Sequence, residues 1–159
     1  MRDEIPAFQA ALARLLALLA SVPEALVDLK PRPEDWSLKQ IACHLVDSAS
    51  NNHQRFTRLQ AARSLEFPGY AAEAWVAIEK PEGLAWHTLL DLFRSYNAFI
   101  LHLVANLPPA CLQNVWVVDG RELTLEFLAR DYYRHLDWHH SHLETRIREV
   151  KAIAPAGPD

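Results

Sequence analysis

The sequence has few cysteines and no excess of basic residues. Both features narrow the range of functions that the protein can have. Its 159 residues include only 2 cysteines, Cys43 and Cys111, which form neither a Cys-x-x-Cys motif nor a disulfide-rich pattern. We therefore expect a reducing, cytoplasmic environment. The net charge of -4 at pH 7 provides no broad basic surface, so we expect neither a nucleic-acid partner nor an anionic-lipid partner.

The sequence also lacks a long uninterrupted hydrophobic run. Its most apolar early stretch, residues 10–20, contains Arg14, and Asp3 and Glu4 stand where a signal peptide has basic residues. We expect neither a signal peptide nor a membrane span. The chain is nevertheless 50% hydrophobic, which suffices for one compact core at this length. We predict a single domain at residues 1–151 and a flexible tail at residues 152–159.

Apolar residues recur at spacings of three and four along four long stretches, which predicts four helices. These helices are expected at residues 5–26, 38–63, 84–107 and 124–150. Ser37 and Gln40 have the form of a capping box at the start of the second helix, and Thr124 is expected to cap the fourth. The pattern is typical of a helix bundle.

The connections between the helices refine this prediction. Residues 64–83 join the second and third helices and have room for one short helix at residues 71–78. Antiparallel neighbours need only a short loop, so a long crossover suits two helices that run in the same direction. A small hairpin is predicted around Asp119-Gly120, a sequence typical of a tight turn. The predicted fold is an all-α four-helix bundle with a long crossover between helices two and three.

Three histidines have the arrangement that a metal site requires. His135 and His139 lie four residues apart on the fourth helix, so their imidazoles share one face, and His44 lies on the second helix. Three neutral imidazoles would bind a divalent ion such as Ni, Zn or Fe and leave a position open. Alternatively, the pair is a chance spacing, since the chain has 8 histidines, and all three occupy a polar core.

Polar residues continue the His44 face along the second helix. Ser48, Asn51 and Arg55 follow His44 by four, seven and eleven residues, close to one helical stripe. Because polar groups are costly in a bundle interior unless they are paired, we predict that these three residues form a substrate-binding wall. The alternative is that this stripe is the solvent-facing side of the helix. Asp131, one turn before His135, is expected either to accept the imidazole N–H or to be exposed.

The segment around His44 carries a family pattern. Residues 36–48 read Trp-Ser-Leu-Lys-Gln-Ile-Ala-Cys-His-Leu-Val-Asp-Ser, which resembles the Trp-Ser and His-Leu-x-Asp-Ser signature of the second helix in DinB-like (YfiT-like) metalloenzymes. Further matching segments cover nearly the whole chain and comprise residues 68–70, 75–76, 96–97, 124–128 and 131–136.

This resemblance implies an up-down-down-up order of the four helices, a homodimer, and metal ligands at the positions of His44, His135 and His139. Where close relatives have another histidine on the last helix, this chain has Trp138. His142, three residues beyond His139, is therefore a candidate substitute or fourth ligand. His53, His87, His102 and His140 are predicted to lie outside the site.

The resemblance also implies a function. Characterised relatives of this type are thiol-dependent S-transferases, so the first hypothesis is metal-assisted activation of a low-molecular-weight thiol, with Arg55 or Asn51 steering its carboxylates. Water activation by a hydrolase uses the same open position, since a divalent ion favours an anion such as thiolate or hydroxide there. A second hypothesis is a non-catalytic metal-binding or stress-associated module. The sequence does not identify catalytic residues, the metal or the small-molecule substrate.

Overall fold

Four long helices dominate the computed structural model, which describes residues 1–155. The elements α1 to α5 span, in chain order, Ile5–Ala20, Leu38–Ala61, Ala72–Glu79, Trp86–Ala105 and Leu125–Ile153, and α3 is the short one. Helix α2 packs against α4 and α5, and α1 packs against the same two helices. The four long helices therefore surround one core, and the predicted four-helix bundle is confirmed.

Fully buried apolar side chains from every long helix form this core, and they include Leu15, Leu19, Leu45, Phe56, Phe93, Ile100, Leu136 and Leu143. Burying each such side chain is worth roughly 1.5–3 kcal/mol relative to exposure. One polar pair crosses the core, because the Tyr132 hydroxyl donates to Asn97 Oδ1 at 2.6 Å and both residues are buried. This bond joins α5 to α4 and satisfies the buried Tyr132 hydroxyl.

A three-stranded sheet accompanies the bundle, so the strict all-α class is wrong in this detail. The predicted hairpin is present as β2 (Val115–Val118) and β3 (Arg121–Thr124), which pair antiparallel. Asp119 and Gly120 have φ values of 49° and 72°, as a type I′ turn requires. Strand β1 (Ser64–Glu66) lies in the crossover and pairs parallel to β2. Three residues are too few for a strand pattern to be recognised in the sequence.

The first helix is shorter than predicted and ends at Ala20 rather than at residue 26. Pro23 has extended backbone, with φ -61° and ψ 137°, and proline disfavours helical geometry at the preceding residue. A 3₁₀ turn at Glu24–Leu26 follows. Leu26 is still buried in the core. The apolar spacing that predicted the helix therefore continues past the residue at which the helix ends.

The helix starts follow the predicted caps. Gln40 N donates to Ser37 Oγ at 3.2 Å, and Ser37 N donates to Gln40 Oε1 at 3.1 Å, which completes the capping box. Thr124 Oγ1 accepts from Phe127 N at 3.1 Å at the start of α5. These caps fix where the two helices that carry the histidines begin.

The end of α5 lies beyond the predicted boundary. The helix reaches Ile153, so residues 152 and 153, which the sequence placed in a flexible tail, are helical, and residues 156–159 lie outside the described residues. Among residues 1–155, no helix combines the length and the apolar character needed to cross a membrane.

Candidate metal centre

Helices α2 and α5 bring three histidines together. His44 lies on α2, and His135 and His139 lie one turn apart on α5. One ring nitrogen of each histidine lies within 4.8 Å of the other two. The Nε2 atoms of His135 and His139 are 3.0 Å apart, and the His44 ring centroid is 5.5 Å and 5.1 Å from those of His135 and His139. The structure therefore brings together the three residues predicted as ligands.

Burial keeps these imidazoles neutral. Burial and, to a smaller extent, the neighbouring imidazoles together lower the pKa of His44 to about 4 and that of His139 to about 2. Burial also lowers the pKa of His135, although Asp131 opposes this shift. Neutral imidazole is the form that binds metals, so the three rings are ready to act as ligands at neutral pH.

A divalent ion fits this donor set. Ligand nitrogens at about 2.0–2.1 Å from a tetrahedral ion are separated by roughly 3.3 Å, close to the 3.0 Å between the two α5 nitrogens. No carboxylate belongs to this cluster in the part of the chain that the structure describes. An all-imidazole set suits Zn, Ni or Fe rather than Mg or Ca, and three ligands leave a position open for a small molecule.

Two hydroxyl groups lie against the other ring nitrogens. Ser48 Oγ is 3.5 Å from His135 Nδ1, and the Tyr70 hydroxyl is 3.5 Å from His44 Nδ1. Asp131 is exposed and accepts from Arg134 at 2.8 Å, so its carboxylate pairs with solvent-side groups instead of His135. The partner next to His135 is therefore the Ser48 hydroxyl.

A cavity of about 170 Å³ adjoins the three-histidine cluster at His135. Its lining includes His135 from the histidine cluster together with Ser48, Asn52, Arg55, Tyr70, Trp116 and Asp131, whose carboxylate accepts from Arg134. A larger and more open depression, of about 530 Å³, lies near residues 66–69 and 117–119 and contains no histidine. The smaller cavity is the better candidate for a substrate site because a ligand group in it would lie next to the cluster.

Arg55 supplies an unpaired positive charge to this cavity. Its side chain is buried, and its guanidinium carbon lies 3.8 Å from the centroid of the Trp116 ring. Its Nη1 contacts Asn52 Oδ1 at 3.4 Å, while its Nε has no hydrogen-bond partner among residues 1–155. Burial lowers the pKa of Arg55, yet a guanidinium stays protonated in proteins. A buried cation without a counter-ion favours an anionic ligand.

The sequence matches a known protein family. The model of the DinB superfamily matches residues 7–143. The chain belongs to the DinB superfamily. No curated protein matches its sequence at a significant level. Among solved structures, this DinB-superfamily chain is similar to YfiT from Bacillus subtilis, with a TM-score of 0.77, 20% sequence identity, and coverage of 95% of this chain and 86% of YfiT. YfiT is described as a probable metal-dependent hydrolase with an unusual four-helix bundle topology.

Two of the three predicted substrate-binding residues of this DinB-superfamily protein line the cavity. Ser48 and Arg55 line the cavity, whereas the Asn51 amide donates to the backbone carbonyl of Asp47 at 2.9 Å. The next residue, Asn52, occupies the cavity wall instead. Helical spacing favoured Asn51, which follows His44 by seven residues on the same stripe, whereas Asn52 is rotated a further 100° from it.

Two aromatic residues of the cavity were not predicted from the sequence. Tyr70 comes from the loop before α3, and Trp116 comes from the middle of β2. The inward position of Trp116 in the predicted hairpin strand was a usable signal, since alternate side chains of a strand face the same side. No local pattern places Tyr70, because its position depends on how the crossover folds back onto α2.

The remaining histidines lie apart from the three-histidine cluster. The His142 ring centroid is 6.0 Å from that of His139, and His142 is absent from the set of converging nitrogens. His53 Nδ1 lies 2.9 Å from the Tyr96 hydroxyl. The side chains of His87 and His102 are exposed on α4.

Proposed function

We propose that this DinB-superfamily protein is a metal-dependent enzyme that acts on a small anionic substrate, with one divalent ion bound by His44, His135 and His139. The observation that carries the proposal is the convergence of three neutral imidazoles, two of them buried and that of His135 half-buried, beside a cavity whose wall includes the guanidinium of Arg55. The description of YfiT as a probable metal-dependent hydrolase supports metal dependence. The ion is expected to be Zn, Ni or Fe.

A divalent ion in such a site supplies Lewis acidity and lowers the pKa of a water or thiol that enters its open position. The protein's own residues bind and orient the reactants. Burial raises the pKa of Tyr70 to about 12, so its hydroxyl stays protonated at neutral pH and can donate a hydrogen bond into the cavity. Ser48 provides a second hydroxyl beside His135.

Arg55 determines the charge of the substrate in this proposal. The Trp116 ring stabilises the guanidinium from one face, and the guanidinium, which lines the cavity, would bind a carboxylate or a similar anion. Asn52 and Ser48 extend the polar wall toward the histidines. Asn51, the third binding residue predicted from the sequence, would contact a substrate only after releasing the Asp47 carbonyl.

Two reactions use this arrangement, and they differ in the nucleophile. The resemblance to thiol-dependent S-transferases favours a low-molecular-weight thiol, while the similarity to YfiT favours water. The cavity adjoining His135 holds only a small group, which suits either one. We place thiol activation first because a carboxylate-bearing thiol would occupy the open metal position and Arg55 together.

Cobalt-substituted protein tests this choice. Addition of 2-mercaptoacetate and of 2-mercaptoethanol should each change the cobalt spectrum at neutral pH, where a free thiol with a pKa of about 8.5 is mostly protonated. The carboxylate-bearing thiol should act at the lower concentration. If neither thiol changes the spectrum, the transferase proposal is replaced by water activation or by metal binding without turnover. Metal binding with no hydrolysis of any small ester or amide would favour the non-catalytic, stress-associated module.

Three further features are proposed from the resemblance. The helices follow the up-down-down-up order, which the length of the connection at residues 64–83 supports. The protein forms a homodimer, which sedimentation or light scattering would detect. It works in the cytoplasm and binds no nucleic acid, in agreement with a net charge of -4.

A further inference from the structure

A second group of metal-binding side chains lies on a different face of α2. Cys43 and Asp47 are one turn apart on this helix, and Glu79 is the last residue of α3. One donor atom of each lies within 4.8 Å of the other two. Since successive residues of a helix are rotated by about 100°, Cys43 and Asp47 share a face that is turned away from the face of the neighbouring His44.

One carboxylate oxygen of Asp47 is buried in this group without a hydrogen-bond partner among residues 1–155. Asp47 is only 5% exposed, and its Oδ2 accepts no hydrogen bond in the described part of the chain. The Cys43 thiol donates to Glu79 at 3.0 Å, not to Asp47. Lys39 lies one turn before Cys43, but its ammonium group is bound to Asp28 at 2.7 Å. Within residues 1–155, therefore, neither Asp47 nor Glu79 has a cationic partner within 4.0 Å.

Burying an unpaired carboxylate is costly, and a bound cation removes that cost. We propose that Cys43, Asp47 and Glu79 form a second metal site that binds a thiophilic divalent cation such as zinc. Binding forms a bond from the metal to Cys43 Sγ, and the thiol proton is released to solvent. One thiolate and two carboxylates select zinc, cobalt or cadmium over magnesium and calcium. This site is independent of the proposed catalytic function.

The position of Glu79 suits such a site. Asp47 and Cys43 are buried, whereas Glu79 is exposed at the end of the short helix α3. A cation can therefore enter from the solvent side. Once bound, it would join α3 and the crossover to α2, which also carries His44.

Cobalt(II) added as its chloride to metal-free protein tests the proposal. A cobalt–thiolate bond gives a charge-transfer band that three imidazoles cannot produce, so the band reports this site alone. We expect two equivalents of cobalt in the wild-type protein and a thiolate band that accompanies one of them. His139→Ala should remove one equivalent and retain the band.

Two cysteine variants provide the matched comparison. Cys43→Ser should abolish the band and remove one equivalent, while Cys111→Ser should leave both unchanged, because the Cys111 thiol donates to the Gln60 carbonyl and, among residues 1–155, belongs to neither group of metal-binding side chains. Asp47→Asn should weaken cobalt binding in the presence of the intact thiol, which separates coordination from any effect of Cys43→Ser on folding. The proposal is overturned if wild-type protein shows no thiolate band, or if the band survives in Cys43→Ser or disappears in Cys111→Ser.

Discussion

Arg55 lies against the indole of Trp116, with its guanidinium carbon 3.8 Å from the ring centroid. This contact joins α2, which carries His44, to the hairpin that closes the cavity. It also explains how a guanidinium without a carboxylate partner is tolerated in a buried position. Arg55 lines the same cavity as His135, and its buried positive charge favours an anionic ligand there.

Arg55→Met should reduce binding of a carboxylate-bearing thiol far more than binding of an uncharged thiol. A hydrogen bond to a charged group is worth about 1.5–3 kcal/mol, which corresponds to roughly a tenfold to hundredfold loss. Titration of the cobalt-substituted protein with 2-mercaptoacetate and 2-mercaptoethanol measures both affinities. Arg58→Met is the control, since Arg58 is exposed and bonds to Gln54. An equal loss for both thiols would show that Arg55 acts only in packing.

Trp116→Phe should destabilise the fold while keeping a ring beneath Arg55. Trp116 Nε1 donates to the Phe67 carbonyl at 2.6 Å, and leaving a partly buried carbonyl unpaired costs roughly 1–3 kcal/mol. Urea denaturation gives the change in the free energy of unfolding. Trp138→Phe should change it by less than about 0.5 kcal/mol, because Trp138 is 59% exposed. Similar losses in both variants would contradict the structural role of this bond.

Much of the fold follows from local patterns in the sequence. The apolar spacing and the capping box of Ser37 and Gln40 locate α2, and Asp119-Gly120 locates the hairpin turn. Strand β1 escapes such patterns, because it has three residues and exists only through pairing with β2. The predicted end of α1 was wrong because the buried Leu26 continues the apolar spacing of the helix. The helix itself ends earlier, before Pro23.

The candidate metal centre was predictable in part. The spacing of His135 and His139 determines that they share one face, whereas their meeting with His44 depends on how α2 packs against α5. The aromatic wall depends on longer-range folding still, since Tyr70 reaches the cavity from the crossover and Trp116 from the hairpin. The second group of metal-binding side chains, Cys43, Asp47 and Glu79, was not predicted from the sequence, because Glu79 is far from the other two residues along the chain.

Metal-free protein should lose stability as the pH falls below about 6.5, the ordinary pKa of histidine. His44 and His139 have pKa values of about 4 and 2 in the folded protein, so the unfolded chain binds more protons below pH 6.5 and unfolding is favoured. The stability associated with the neutral histidines is fully present above pH 6.5. It is lost as the pH falls toward the pKa values of these histidines in the folded protein. Denaturation midpoints between pH 8 and 5 measure it.

A difference measurement isolates the histidine effect. The pKa of Asp47 is raised by burial and by Glu79, which favours folding at lower pH and so opposes the histidines. His139→Gln should therefore lose less stability than the wild-type protein between pH 8 and 5, while Asp47 remains the same in both. Parallel pH profiles of the two proteins would show that His139 is not held neutral by the fold.

Metal content tests the three-histidine site most directly. Protein should be purified without a His tag or a nickel column, since imidazole ligands acquire nickel adventitiously, and its metals measured by elemental analysis. His44→Ala, His135→Ala and His139→Ala should each lose most of one equivalent of Zn, Ni or Fe, because each removes one of the three convergent nitrogens. His53→Ala, which alters a histidine bonded to Tyr96, should retain it. Undiminished metal in His44→Ala, or an equal loss in His53→Ala, would contradict the assignment of this centre.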